Sequence, residues 1–145
     1  MRYTFSIVLL LAAVVLAACG GGQAAKPASG PDIVAAFKTA GLEAENVGAL
    51  EAKDYGMAPF VCQGTRFSAP SAGKNAAGRE LGGHIFVCDN QDDLKKLQDF
   101  YVKAGQATAI LASHLYVKGN TLLQLDGQIA KATADKYGAA LAAMK

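Results

Sequence analysis

The chain lacks the features that most directly announce a chemistry. It has no Cys-x-x-Cys or His-x-x-x-His pair, the spacings that bring two ligands to one metal ion. It has no Gly-x-Ser-x-Gly elbow to present a nucleophilic serine. Tryptophan is absent, and neither sign of charge dominates: 14 Lys plus Arg face 12 Asp plus Glu. The longest basic run is Lys95-Lys96, so nothing resembles the basic stripe of a nucleic-acid binder. The apolar centre near the N-terminus, residues 7–16, is ten residues long, against the about 20 that a membrane-spanning helix needs.

What is present begins with that N-terminal segment. Arg2 supplies a basic start and residues 7–16 (IVLLLAAVVL) an apolar centre, the organisation of a secretory signal. Leu16-Ala17-Ala18-Cys19 follows. A leucine three residues before a cysteine, with two small residues between, is the pattern of a bacterial lipobox. It predicts cleavage between Ala18 and Cys19 and acylation of the Cys19 thiol, with membrane lipid as the first partner. Several acyl chains on one residue anchor a protein where a single chain does not. Residues 19–31, rich in Gly and small residues, read as a flexible tether; twelve such residues span roughly 20 Å. Residue 20 is Gly rather than Asp, which in a Gram-negative cell favours the outer membrane over retention at the inner one. The expected location is therefore extracytoplasmic, on the cell membrane or the outer membrane.

Removing residues 1–18 from the 145 leaves 127, with 13 Lys plus Arg because Arg2 is lost. Residues 32–145 are long enough for one domain that buries roughly two-thirds of its unfolded surface. Ser29-Gly30-Pro31-Asp32 is a helix start: a capping residue, a proline and an acid at the positive end of the dipole. A helix over 32–40 is expected, with Ile33, Phe37 and Ala40 as its stripe, Val34 beside them and Gly41 as its stop. Residues 43–57 have no clear period beyond a helical turn near 51–55, ended by Gly56. Strand composition marks 60–68 and 82–88, separated by a thirteen-residue loop of small residues at 69–81. Asn90 caps a helix with Leu94, Leu97, Tyr101 and Ala104 as its stripe and Gly105 as its end. An apolar strand over 109–117, a Gly119-Asn120 turn and a return strand over 121–125 form a hairpin. That register sets Lys118 against Thr121, Tyr116 against Leu123 and His114 against Leu125. The last helix, 128–144, is expected to turn Ala130, Ala134, Tyr137, Leu141 and Met144 inward. Two hairpin-plus-helix units after an N-terminal helix predict an α+β fold, a four-stranded antiparallel sheet with the helices on one face.

Three stretches carry a resemblance: Ala36-Phe37-Lys38 to Gly41-Leu42, Asp54-Tyr55-Gly56-Met57-Ala58-Pro59, and Tyr116-Val117-Lys118-Gly119-Asn120 with residues 124–127. Over most of the mature chain they resemble small uncharacterised bacterial lipoproteins, some labelled stress proteins. The resemblance implies envelope localisation and brings no catalytic residues, because that family has no established activity.

Candidate sites are few. Pairing Cys62 opposite Cys88 sets Gly64 against Phe86 and Arg66 against His84, a workable antiparallel register, so a disulfide is expected in an oxidising compartment; two buried thiols acting as small apolar residues are the alternative. Cys62, Cys88, His84 and His114 are zinc ligands by type, but His84 and Cys88 lie four residues apart on one strand, about 13 Å, so no metal and no cofactor is expected. Ser113 and His114 are adjacent in a strand and point to opposite faces, which argues against an enzyme. The 69–81 loop is a candidate binding loop, with Lys74 and Arg79 able to meet anionic groups. The reading is a membrane-anchored binding or envelope-support domain with an envelope protein as candidate partner and no nucleic acid. The competing reading is a small envelope enzyme or ligand carrier with a pocket near that loop.

Overall fold

The computed structural model describes residues 28–145. The signal segment, Ala18 and Cys19 lie outside the described residues. Three helices and five strands follow in the order α1 (Gly30–Thr39), β1 (Glu45–Ala49), β2 (Gln63–Ser68), β3 (Gly82–Val87), α2 (Gln91–Ala107), β4 (Ser113–Lys118), β5 (Thr121–Asp126) and α3 (Lys131–Ala143). The fold is α+β with one antiparallel sheet in the order β1-β2-β3-β5-β4.

The expected registers of both hairpins hold: Gly64 pairs with Phe86 and Arg66 with His84, and His114, Tyr116 and Lys118 pair with Leu125, Leu123 and Thr121. The sheet has five strands rather than four. The extra strand, β1, is exposed along its length apart from Gly48. It carries a register irregularity between Glu45 and Gly48, and Asn46 has φ 49°. A short edge strand that buries almost nothing and contains a bulge shows no alternation to read.

The helices do not share one face; this is the main correction to the sequence reading. Side chains alternate across a strand, and the two sets meet different helices. Phe67, Ile85, Leu123 and Leu125 join Ile33, Val34 and Phe37 of α1 and Ala134, Tyr137 and Leu141 of α3 in one core. Phe86 and Leu122, one residue out of phase, join Leu94 and Leu97 of α2 with Tyr55, Cys62 and Cys88 in a second. The sheet is therefore covered on both sides. The first core centres on three rings: Tyr137 stands edge-on to Phe37 at 5.2 Å and 5.7 Å from Phe67. Its hydroxyl donates to the Glu43 carbonyl at 2.6 Å, a polar tip satisfied inside an apolar body.

Local chemistry explains the element ends. The Ser29 hydroxyl accepts from Asp32 N, and Asp32 Oδ2 accepts from Ser29 N at 2.9 Å, a capping box. Residues 29–31, assigned to the tether, are thus the cap and first turn of α1. α2 runs past Gly105 to Ala107. Gly105 does not stop the helix; a Cβ there would lie 3.3 Å from Ala112 Cα, where the 3-10 turn Ala109–Leu111 folds back. That turn takes the start of the expected 109–117 strand, which begins at Ser113. α3 starts at Lys131 rather than 128, after Ile129 N bonds the Asp126 carbonyl at 3.0 Å.

A candidate ligand cleft on the α2 face of the sheet

α2 and the Tyr55 segment cover only part of their sheet face. Beyond Phe86 and Leu122, that face continues as a row of polar side chains. Arg66 on β2 pairs with His84 on β3, and His84 with Gln124 on β5. The three lie on the same side as Phe86 and Leu122, being an even number of residues away. Ser68, Gly82 and Asp126 continue the surface toward the strand ends. Together with Asn46, Asn75, Arg79 and Glu80 these residues line a cleft of about 570 Å³.

The 69–81 loop supplies one wall through Asn75, Arg79 and Glu80, and it is built rather than slack. Pro70–Ala72 forms a 3-10 turn, and Lys74 and Glu80 form an antiparallel bridge. Asn75 N donates to the Arg79 carbonyl at 2.8 Å, and Asn75 Oδ1 accepts from the amides of Ala77 and Arg79, each at 3.0 Å. An asparagine side chain bonding its own following backbone is a local turn device, and here it fixes where Arg79 projects. Of the two residues expected to form a binding loop, Arg79 lines the cleft; Lys74 sits on the bridge and is not among the lining residues. Asn46 ties the third wall: Nδ2 donates to Ser68 Oγ at 2.9 Å and to Glu80 Oε2 at 3.0 Å. Its left-handed backbone is one that asparagine tolerates better than most residues, and it sits at the bulge that brings β1 to the loop.

The floor carries two unsatisfied atoms. His84 Nδ1 and Gln124 Oε1 have no partner at full hydrogen-bond distance, but the Gln124 side chain, 6 % exposed, lies close enough to the imidazole of its pairing partner to act on it as an acceptor. The other end of the Gln124 amide donates to Ser113 Oγ at 2.9 Å, which fixes the orientation of the side chain. Burial pushes His84 below the ordinary imidazole range; the Asp126 charge and the Gln124 side chain oppose that shift, and the Arg66 charge adds to it. Its ring is therefore neutral near pH 7. Asp126 Oδ2 accepts from Gly82 N at 2.9 Å.

The remaining sequence candidates are dispersed. Cys62 and Cys88 stand at disulfide distance, with sulfurs 1.97 Å and Cα atoms 4.4 Å apart, at the other end of β2 and β3. His114 lies on the α3 side, its Nε2 2.8 Å from the Ile129 carbonyl. The four zinc-type ligands are not brought together, and among the described residues no group of three or more His, Cys, Asp or Glu could hold a metal ion. Ser113 does pair with Asp126, but its hydroxyl is engaged by Gln124. A larger cavity, about 950 Å³, lies beside the cysteine pair between α1, β1 and Phe60. Its lining includes one charged side chain, Asp89, beside the polar Ser29, Gln63, Thr65 and Asn120.

Sequence reasoning missed Arg66, Gln124, Asn46, Glu80 and Asp126 as members of a site. A signal existed: polar residues at 66, 84 and 124 interrupt the apolar positions of Phe86 and Leu122 at period two. With the helices all placed on one face, such residues read as an ordinary solvent side. No protein-family model, curated protein or solved structure matches the chain.

Proposed function

We propose that this is a lipid-anchored, extracytoplasmic ligand-binding domain whose site is the cleft between the sheet and residues 69–81. The observation that carries the binding half is the row Arg66, His84 and Gln124, flanked by a hydrogen-bonded loop and floored by the buried atoms His84 Nδ1 and Gln124 Oε1, which lack partners at full hydrogen-bond distance. Such atoms cost about 1–3 kcal/mol each when unsatisfied, and a ligand that reaches them recovers that cost. The anchoring half rests on Leu16-Ala17-Ala18-Cys19.

The ligand-carrier reading is favoured over an envelope-support role that presents a bare sheet face, because both sheet faces carry helices. Binding is favoured over catalysis by the wiring of the hydroxyls. Ser68 and Ser113 are engaged by Asn46 and Gln124, and among the described residues no hydroxyl or carboxylate hydrogen-bonds to the His84 ring. A general base needs such a partner to activate a nucleophile.

Two measurements test the proposal. Cys19→Ala should abolish metabolic labelling with palmitate and release the protein from the membrane or leave it uncleaved; unchanged labelling refutes the anchor. Native mass spectrometry of the full chain extracted from envelopes should show a bound small molecule that the double variant Arg66→Met/Arg79→Met loses. Extraction without any adduct refutes a ligand-binding role.

A further inference from the structure

The identity of the cleft's charged groups narrows the ligand. The described residues contain two arginines, Arg66 and Arg79, and both line this cleft. Five ion pairs occur among the described residues, and every cation in them is a lysine: Lys38, Lys53, Lys95, Lys96 and Lys131. Among the described residues, neither arginine is paired with a carboxylate. Arg66 lies over the edge strand, its guanidinium passing close above Gly48: a Cβ there would meet Nε at 3.2 Å. Any larger residue at 48 would displace the fork. A planar guanidinium is the side chain best matched to two oxygens of a carboxylate or phosphate.

The acceptors in the same cleft are complementary. Gln124 Oε1 has no donor at full hydrogen-bond distance, its nearest being the His84 imidazole beside it. Glu80 and Asp126 have each taken one donor on one oxygen, from Asn46 Nδ2 and Gly82 N, which leaves further acceptor capacity on both carboxylates. A bare anion would meet these oxygens with repulsion. A molecule carrying hydroxyls beside its anionic group meets them with donors.

We propose that the cleft binds a small hydroxylated oxyanion, a sugar acid or sugar phosphate, with the anionic oxygens on Arg66 and Arg79 and a hydroxyl donating to Gln124 Oε1. This rests on the ligand-binding reading above and gives it a chemical class. The shared chemistry of the two sources is an oxyanion on a polyol, and the test separates them.

The full chain, purified in detergent, is titrated calorimetrically with gluconate, glucose 6-phosphate, glucose, inorganic phosphate and glycine near neutral pH. Gluconate or glucose 6-phosphate should bind, and the tighter of the two identifies the anionic group. Glucose, lacking the charge, and inorganic phosphate, lacking the hydroxylated body, should each bind more weakly by roughly tenfold or more. Arg66→Met and Arg79→Met should each weaken the preferred ligand by a similar factor. Both side chains are exposed, so the variants should keep the parent melting curve. Arg66→Lys should recover only part of the loss, because the ammonium lacks the fork. Equal binding of glucose and gluconate, binding of glycine in preference to both, or titration curves unchanged in the double arginine variant overturns the oxyanion assignment. A neutral adduct in native mass spectrometry with no heat from either oxyanion sinks the class and leaves the ligand-binding reading standing; no adduct and no heat sink both.

Discussion

His84 sits where the α2 face of the sheet changes from apolar to polar. Its ring packs 5.8 Å from the Phe86 ring on one side and neighbours Arg66 and Gln124 on the other. Because burial disfavours the imidazolium in the folded state, the unfolded chain binds more protons once the pH falls below the ordinary imidazole value of about 6.5. His84 thus contributes its full stability above that pH, and the contribution declines as the pH falls toward its lowered folded value. Urea titrations between about pH 8 and about pH 5.5 should show stability falling toward acid, with a shallower slope in His84→Gln; parallel slopes in the two proteins would mean the ring is solvated. A second test at this scale is Gly138, inside α3. Alanine there gains about 1 kcal/mol of helix propensity, but its Cβ would lie 2.3 Å from the Tyr116 ring. That ring is held in place by its hydroxyl, which donates to Asp135 Oδ1 at 2.8 Å. Overpacking costs about 1–3 kcal/mol, so Gly138→Ala should lower the melting temperature despite the better helix former.

At the level of elements, the pairing of Cys62 with Cys88 links the chain just before β2 to the chain just after β3. Its sequence separation of 26 implies a stabilisation of about 3.5 kcal/mol by loop entropy. Thiol titration of the native, unreduced protein should find no free thiol from these two residues, and reduction should lower the urea midpoint. Two reactive thiols would contradict the bond. Leu97 of α2 is fully buried, and Leu97→Ala should cost about 2–5 kcal/mol; a loss below about 1 kcal/mol would place it on the wrong face of its helix. These elements were legible because their signals are local. Asn90 with Asp92 and Asp93 marks a helix start, Gly119-Asn120 marks a turn, and the cysteine register follows from two strands of ordinary composition. β1 was not legible because its bulge and exposure erase the period. The order inside residues 69–81 was hidden too, since it comes from hydrogen bonds of Asn75 and Asn46 that composition does not reveal.

At the scale of the whole molecule, the sequence showed which strands make the two hairpins, but its reading put every helix on one face of the sheet. α2 and α3 each follow a hairpin, yet one lies on each side of the sheet, because Phe86 with Leu122 and Ile85 with Leu123 supply apolar surface on both faces. A strand that is apolar at consecutive positions, such as residues 85–87 and 122–123, is the signal of two-sided burial. Weighting that signal above the hairpin-plus-helix repeat would have put α2 on its own face and exposed the Arg66–His84–Gln124 row as a site.

The irregular β1 edge has a further consequence. An edge strand presents unpaired amides and carbonyls that a neighbouring chain can zip onto. Here the register slips between Glu45 and Gly48, Asn46 turns through positive φ and Arg66 lies over Gly48, so the free row is broken within its five residues. At the other margin β4 ends in Lys118, whose ammonium donates to the Ala142 carbonyl at 3.0 Å, which ties that corner to the end of α3. A sheet with one margin bent and the other fastened resists stacking strand to strand.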